Sequence, residues 1–123
     1  MESTDKIKGW HAHIYFDNDE DRDKAKSFMD LATAELTEAT VGDWRDEGRG
    51  PHTVANFMIE FMCDQFPTVV PWLSLNREGL SVLVHPMTGD APNDHSTYAM
   101  WMGDPLEVRL DRFSGRHDSK FGL

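Results

Sequence analysis

Residues 10–16 form an alternating segment that limits the ways in which this chain can fold. Trp10, Ala12, Ile14 and Phe16 are apolar, and they alternate with His11, His13 and Tyr15. A period of two residues is typical of a β-strand whose two faces differ. The apolar face must pack against another layer, so the two histidines and the tyrosine are expected on the opposite, open face of a sheet.

The rest of the chain alternates between helical and extended patterns. Asp17, Asn18 and Asp19 offer side chains that cap a helix over about residues 19–38. A weaker strand over 39–46 and a turn-rich loop over 46–51 precede a third strand at 52–62. A second helix over 67–78 and a fourth strand over 80–85, which Pro86 ends, complete the pattern.

The resulting order, βαββαβ, predicts an α+β fold of the ferredoxin-like type, with both helices on one face of an antiparallel sheet. The expected strand order is 4-1-3-2, and we expect the two central strands, the first and the third, to run parallel. Residues 106–110 alternate again and can add a C-terminal edge strand. Residues 1–123 are expected to form a single domain, with flexible tails at 1–8 and 114–123.

Four histidines converge in this topology although they are scattered along the sequence. His11 and His13 begin the first strand, His52 opens the third and His85 closes the fourth. The alternation of apolar residues places all four on the open face of the sheet. Imidazole groups that meet in this way favour a metal site over isolated structural histidines.

Distances along the strands narrow the set of residues that can share one metal ion. Neighbouring strands lie ~4.8 Å apart, and each residue advances the strand by ~3.3 Å, which brings His13, His52 and His85 together. His11 lies ~6.7 Å along its strand from His13 and remains an alternative ligand or an outer partner. Glu60 lies roughly 26 Å along an extended strand from His52, so we expect it to lie outside the site.

Composition excludes several classes of partner. The net charge of −10 disfavours phosphate backbones, so neither nucleic acid nor an anionic membrane is expected as a partner. No apolar run approaches the ~20 residues that a membrane span needs. Cys63 is the single cysteine, which precludes an intrachain disulfide and fits a cytoplasmic location.

Four spaced elements of the sequence resemble the DOPA 4,5-dioxygenase family of small extradiol dioxygenases. These elements are Trp10-His11-Ala12-His13-Ile14-Tyr15-Phe16, Gly50-Pro51-His52, Leu83-Val84-His85-Pro86 and Asp94-His95. The resemblance extends over about residues 9–113. It implies cleavage of a DOPA-like catechol by O₂ at a mononuclear non-haem iron(II).

Carried over to this chain, the resemblance implies that His13, His52 and His85 are metal ligands. It implies that His11 and His95 are acid–base groups, since histidine titrates near neutral pH. Which of His11 and His13 binds the metal stays open. Because three histidines also suit zinc, zinc or nickel can replace iron(II) in a purified sample. His117, in the polar tail, is expected to be exposed to solvent.

Two other functions fit the same histidines. The chain can be a non-catalytic module that binds a metal or an aromatic ligand, or a cofactor-free ferredoxin-like enzyme in which histidines act only as acids and bases. A homodimer is expected to cover part of the open sheet face. Arg45, Arg49 and Arg77 are candidates for binding a substrate carboxylate, and the sequence places none of them.

Overall fold

The computed structural model describes residues 1–113, and the expectations for the tail from Ser114, including His117, lie outside these residues. Five strands and two long helices follow the predicted order. The strands are β1 (Trp10–Tyr15), β2 (Thr40–Arg45), β3 (Asn56–Phe61), β4 (Val82–Pro86) and β5 (Met100–Met102), and the helices are α1 (Asp19–Glu35), α2 (Phe66–Asn76) and the short α3 (Ala91–Asp94). Turns of 3₁₀-helix lie at Thr4–Lys6 and Cys63–Gln65.

The sheet has the strand order β2-β3-β1-β4-β5, which confirms the predicted order 4-1-3-2 and adds an edge strand. Every neighbouring pair is antiparallel, so the expectation that the first and third strands run parallel was wrong. The reason lies in the connections, because β2 and β3 form a hairpin and α1 carries the chain across β3. β1 and β2 are therefore the parallel pair, and β3 lies between them.

Both long helices cover one face of the sheet, as the alternation predicts. The Asn18 side chain accepts a hydrogen bond from the Asp21 backbone N–H at 2.8 Å and starts α1. The apolar stripes of α1 and α2 are buried against inward-facing strand residues. This core includes Ala25, Phe28, Ala32, Val69 and Leu73 from the helices and Ala12, Ile14, Phe57, Ile59, Phe61, Val82 and Val84 from the strands. No helix in the described part of the chain is long and apolar enough to cross a membrane.

Two differences from the elements predicted from the sequence affect the open face. β3 begins at Asn56, so His52 precedes the strand. The extra edge strand is Met100–Met102, and not residues 106–110. Within 106–110, Val108 instead forms an isolated antiparallel bridge with His52, and Arg109 N–H donates to the Pro51 carbonyl at 2.8 Å. These backbone bonds bind the segment after β5 to the loop before β3.

The N-terminal residues 1–8 contact the body of the protein. The 3₁₀ turn Thr4–Lys6 is capped by Ser3, and the Lys8 backbone N–H donates to the Met87 carbonyl at 2.9 Å. Flexibility of this segment and the assignment of residues 1–123 to a single domain both stay predictions.

Candidate metal centre

The open face of the sheet carries histidines from β1 and β4 in register. His11 lies directly opposite His85 on β4 and Glu60 on β3, while His13 faces Leu83 and Met58. His11, His13 and His85 are all buried, with relative exposures of 5%, 7% and 0%. The prediction that alternation brings these side chains to the face opposite the helices is confirmed.

The His13 and His85 rings face each other through their Nε2 atoms, which lie 3.2 Å apart. The His85 Nδ1–H donates to the Pro86 carbonyl at 2.9 Å, and the His13 Nδ1–H donates to Asn56 Oδ1 at 3.3 Å. Asn56 is held in this orientation because its amide nitrogen donates to the Val54 carbonyl at 3.1 Å. A neutral imidazole with its proton on Nδ1 presents a lone pair at Nε2. Two lone pairs therefore point at each other inside the protein.

Two further histidines approach this pair from loops. The His52 ring lies 4.0 Å from the His13 ring, centroid to centroid, and its Nδ1 is 2.7 Å from the Tyr15 hydroxyl. The His95 ring lies 3.9 Å from the His85 ring, and its Nδ1–H donates to the Ala91 carbonyl at 2.8 Å. His95 thus presents its Nε2 lone pair in the same way as His13 and His85.

The loop that carries His95 is fixed by a buried carboxylate. Asp94 is only 2% exposed, and it accepts hydrogen bonds from the Thr88 backbone N–H at 3.0 Å and the Thr88 hydroxyl at 2.6 Å. Because His95 directly follows Asp94, this contact determines where the imidazole lies.

The environment disfavours the charged form of four of these rings, those of His13, His52, His85 and His95. Burial, followed by the neighbouring histidines, holds the pKa of His13 and the pKa of His85 well below the usual value. Burial and His95 lower the pKa of His52 to about 3. Burial also lowers the pKa of His95, against the opposing effects of the Ala91 carbonyl and the Asp94 carboxylate. Neutral imidazole is the form that binds metals.

The ligand atoms group into two triads that share His13. One consists of His11, His13 and His85, the other of His13, His52 and His95, and within each triad the nitrogens lie within 4.8 Å of one another. Within residues 1–113, the buried Nε2 of His11 makes no hydrogen bond, although Glu60 Oε1 lies 3.4 Å from it. Protonation would also bridge facing lone pairs, but the lowered pKa values of His13 and His85 disfavour it. These buried histidines therefore fit a metal ion.

Glu60 lies beside His11, a contact that the sequence did not predict. It is far from His52 along β3, but the antiparallel pairing of β1 and β3 brings it opposite His11. Its Oε1 lies 3.4 Å from His11 Nε2, and the carboxylate is fully buried. Glu60 belongs to neither triad of ligand atoms and does not line the cavity above the histidines, so the expectation that it does not share the metal stays a prediction, and its contact with His11 is what the distance to His52 could not show.

A cavity of about 530 Å³ lies over the histidines. His11, His13, His52, His85 and His95 all line it, and so do Lys8, Asp43, Arg45, Arg49, Arg112 and Phe113. Two of the three arginines singled out in the sequence, Arg45 and Arg49, thus reach the site. Arg77 does not line the cavity, and its guanidinium donates to the Leu80 carbonyl at 3.0 Å.

Sequence reasoning missed several residues of the site. Tyr15 and Asn56 were recognised as open-face residues, and their phase with the histidines was the signal that marks them as partners of His52 and His13. Lys8, Arg112 and Phe113 gave no comparable signal, because the segments that carry them are irregular. The Phe113 ring lies 4.7 Å from the His95 ring, centroid to centroid.

Comparison with known proteins finds two fungal proteins of similar sequence. The chain is 36% identical over 115 residues to an uncharacterized 21.2 kDa protein of Botryotinia fuckeliana, covering 85% of this chain and 63% of that one. It is 30% identical over 113 residues to the DOPA 4,5-dioxygenase of Amanita muscaria, covering 85% of this chain and 49% of the relative. The chain thus spans about half to two thirds of the length of these relatives.

A solved structure is also similar. The crystal structure of a Nostoc punctiforme protein, provisionally assigned as a dioxygenase, superposes with a TM-score of 0.86 at 44% sequence identity. The match covers 90% of this chain and 95% of that one. A family model, the Dopa 4,5-dioxygenase family, matches residues 10–112, a range that contains all five histidines of the cluster. The chain is therefore a member of the Dopa 4,5-dioxygenase family.

Proposed function

We propose that this protein is an extradiol-type dioxygenase that cleaves a catechol with O₂ at a mononuclear iron(II). One observation carries the proposal: the Nε2 atoms of His13 and His85 face each other at 3.2 Å in a buried cluster, with both Nδ1 atoms already hydrogen-bonded. Metal-binding histidines usually donate their second ring N–H to a carbonyl or carboxylate in this way. Membership of the Dopa 4,5-dioxygenase family supports the reaction.

His13, His52 and His85 are the proposed metal ligands. Neither triad contains all three of these residues: His13 is common to both, His85 belongs to one and His52 to the other, and the family resemblance is what joins them. His52 is the member whose tautomer depends on the Tyr15 hydroxyl, since Tyr15 can donate to Nδ1 or accept from it. If Tyr15 accepts, Nε2 of His52 is left unprotonated for the metal.

His11 and His95 are the proposed acid–base groups. When bound, iron(II) would hold the two hydroxyl oxygens of a catechol and activate O₂ for attack beside the diol. His95 Nε2 is positioned to take a phenolic proton, since its Nδ1–H is engaged by the Ala91 carbonyl. His11 lines the same cavity as His95, and its Nε2 lies 3.4 Å from the Glu60 carboxylate.

The cavity suits a small aromatic substrate. Its volume of about 530 Å³ lies within the range of ligand pockets, roughly 300–1,000 Å³. Phe113 and Pro51 supply apolar wall for a ring, and the histidines line the polar end.

Reconstitution with iron tests the reaction. Purified protein is stripped of metal, loaded anaerobically with iron(II) and mixed with O₂ and a panel of catechols that includes DOPA. We expect O₂ uptake and a ring-opened product that contains both oxygen atoms of O₂, with zinc-loaded protein as the inactive control. If the protein binds iron but turns over no catechol, the remaining function is that of a non-catalytic metal-binding module. Catalysis that is unchanged after chelation of every metal would favour the cofactor-free enzyme.

Single substitutions test the residue roles. His13→Ala, His52→Ala and His85→Ala are expected to abolish stoichiometric metal binding, measured by elemental analysis after dialysis. His11→Ala and His95→Ala are expected to retain metal and to lose turnover. Loss of metal in His11→Ala with retention in His52→Ala would replace the proposed ligands by the triad of His11, His13 and His85.

A DOPA-like substrate, a homodimer and a cytoplasmic location remain proposals. The homodimer was expected because a bare open face would need a cover. Open-face residues such as Tyr15, Met58 and Leu83 are buried within the chain itself, so that argument no longer requires a partner. Gel filtration with light scattering tests the oligomeric state directly.

A further inference from the structure

The wall of the cavity has a charge opposite to that of the whole protein. The chain carries a net charge of −10, yet Lys8, Arg45, Arg49 and Arg112 all line the cavity. The acidic residues of the wall are Asp43 and Asp94, and Asp94 is engaged by Thr88 inside the protein. The cavity therefore concentrates positive charge where the rest of the surface is acidic.

Three of these cations have no partner of their own. Within residues 1–113, the side chains of Lys8, Arg49 and Arg112 make no hydrogen bond and no ion pair. Elsewhere Arg22 pairs with Asp46 at 2.6 Å and Arg77 donates to a backbone carbonyl, while Lys26 and Arg109 are likewise unpaired among the described residues. What distinguishes Lys8, Arg49 and Arg112 is that all three line the same cavity. Like charges around one cavity repel one another, and a bound anion relieves that repulsion.

Arg49 and Arg112 lie on two segments that backbone contacts join to the candidate metal centre. Arg49 precedes His52 by three residues, and the bridge between His52 and Val108 joins this loop to the segment that carries Arg112. The Arg109 N–H bond to the Pro51 carbonyl, at 2.8 Å, strengthens the junction. A Cβ at Gly50, where φ is +55°, would lie 3.5 Å from the Arg112 carbonyl, so the two segments are in contact there as well.

We propose that Lys8, Arg49 and Arg112 form an anion-recognition site that binds a carboxylate on the side chain of the substrate. The inference rests on the proposed function and specifies its substrate class: catechols with an anionic side chain, in preference to neutral or cationic catechols. Guanidinium groups suit this role because they bind carboxylates through paired N–H donors. The catechol hydroxyls then face the histidines while the carboxylate remains at the cationic wall.

Binding to the metal-free protein tests the site without any turnover. The probes are 3-phenylpropanoate, 3-phenylpropan-1-ol and phenethylamine, which lack catechol hydroxyls and differ mainly in charge. Calorimetry is expected to show binding of the anion about 10-fold tighter than that of the alcohol, weaker binding of the amine, and loss of the preference at high salt. Equal affinity for the anion and the alcohol would overturn the anion site, whatever the iron-loaded protein does.

Matched arginine substitutions test the same site in the active protein. Arg49→Gln and Arg112→Gln are each expected to raise KM about 10-fold for 3-(3,4-dihydroxyphenyl)propanoate and to leave KM for 4-methylcatechol unchanged, because uniform binding energy is lost. Arg109→Gln is the control, since Arg109 lies in the same segment and does not line the cavity. An equal rise of KM for both catechols, or the same effect in Arg109→Gln, would overturn the proposal. Absence of turnover with every catechol would refute the proposed function, and the calorimetry would still decide the anion site.

Discussion

Nε2 of His13 and Nε2 of His85 lie 3.2 Å apart, although the two residues are separated by 71 others in the chain and lie on neighbouring strands. Each ring has its other nitrogen fixed by an acceptor, Asn56 for His13 and the Pro86 carbonyl for His85. The outer hydrogen bonds thus determine which nitrogens are unprotonated.

Asn56→Leu removes the acceptor that fixes the His13 tautomer. We expect the affinity for the bound metal to fall about 10- to 100-fold. Without the Asn56 acceptor, the His13 ring can rotate, and its proton can lie on either nitrogen. Competition with a chromophoric chelator measures the affinity. Asn76→Ala is the control, since Asn76 donates to the Trp72 carbonyl within α2. An unchanged metal affinity in Asn56→Leu would show that Asn56 does not orient His13 for metal binding.

Glu60→Gln tests the carboxylate that the strand pairing brings to His11. The substitution keeps the shape of the side chain and removes its negative charge. We expect kcat to fall about 10-fold with metal content retained, because the proposed acid–base group His11 loses the charged neighbour that lies 3.4 Å from its Nε2. Steady-state O₂ uptake measures kcat. Glu20→Gln, on the exposed face of α1, is expected to behave as the unmodified protein, and wild-type kcat in Glu60→Gln would contradict the role.

Thr88→Val removes the hydroxyl that donates to Asp94 at 2.6 Å. We expect a several-fold loss of kcat with retained metal, because the turn that places His95 loosens while the proposed ligands do not move. Thr88→Ser restores the hydroxyl and is expected to restore kcat, which separates this hydrogen bond from a general packing effect. Failure of the serine variant to recover activity would show that the methyl group matters and the bond does not.

The stability of the metal-free protein is expected to fall as the pH falls below about 6.5. Above that pH both the native and the unfolded histidines are neutral. Below it the unfolded chain binds protons, whereas His13, His52 and His85 stay neutral in the native state because their pKa values are lowered. Each such histidine lowers the free energy of unfolding by up to ~1.4 kcal/mol per pH unit.

Urea denaturation at pH 7.5, 6 and 5 in the presence of a chelator measures this slope. For His52 the effect is expected to continue down to its native pKa of about 3. His52→Asn, which cannot take up that proton, is the control and is expected to show a shallower slope. A free energy of unfolding that does not change between pH 7.5 and 5 would show that the buried rings titrate normally.

Much of the fold follows from the alternation of apolar residues in the sequence. The phase of Ile14, Phe57 and Val82 correctly placed the helices on one face and the histidines on the other. The direction of β3 relative to β1 was wrong, since periodicity reports which face a residue takes and not which way the strand runs. That error concealed the contact between His11 and Glu60.

The loop residues of the site could not be placed from sequence patterns. His95 was recognised through a family motif, while its position depends on the contact of Asp94 with Thr88. Lys8 and Arg112 reach the cavity through backbone bonds and a bridge between loops. Such contacts join residues far apart in sequence without any repeating pattern, so neither periodicity nor spacing indicates them.

The backbone junction between residues 49–52 and 108–112 keeps residues that line the cavity apart from residues that stabilise the fold. Within the described residues, these two segments contribute no side chain to the apolar core beneath the sheet. Random substitution at Arg49 or Arg112 therefore puts little of the folding free energy at risk, whereas the same change at Phe57 would damage the core. A laboratory selection for new substrates is best directed at Arg49 and Arg112, with the proposed ligand His52 left unchanged.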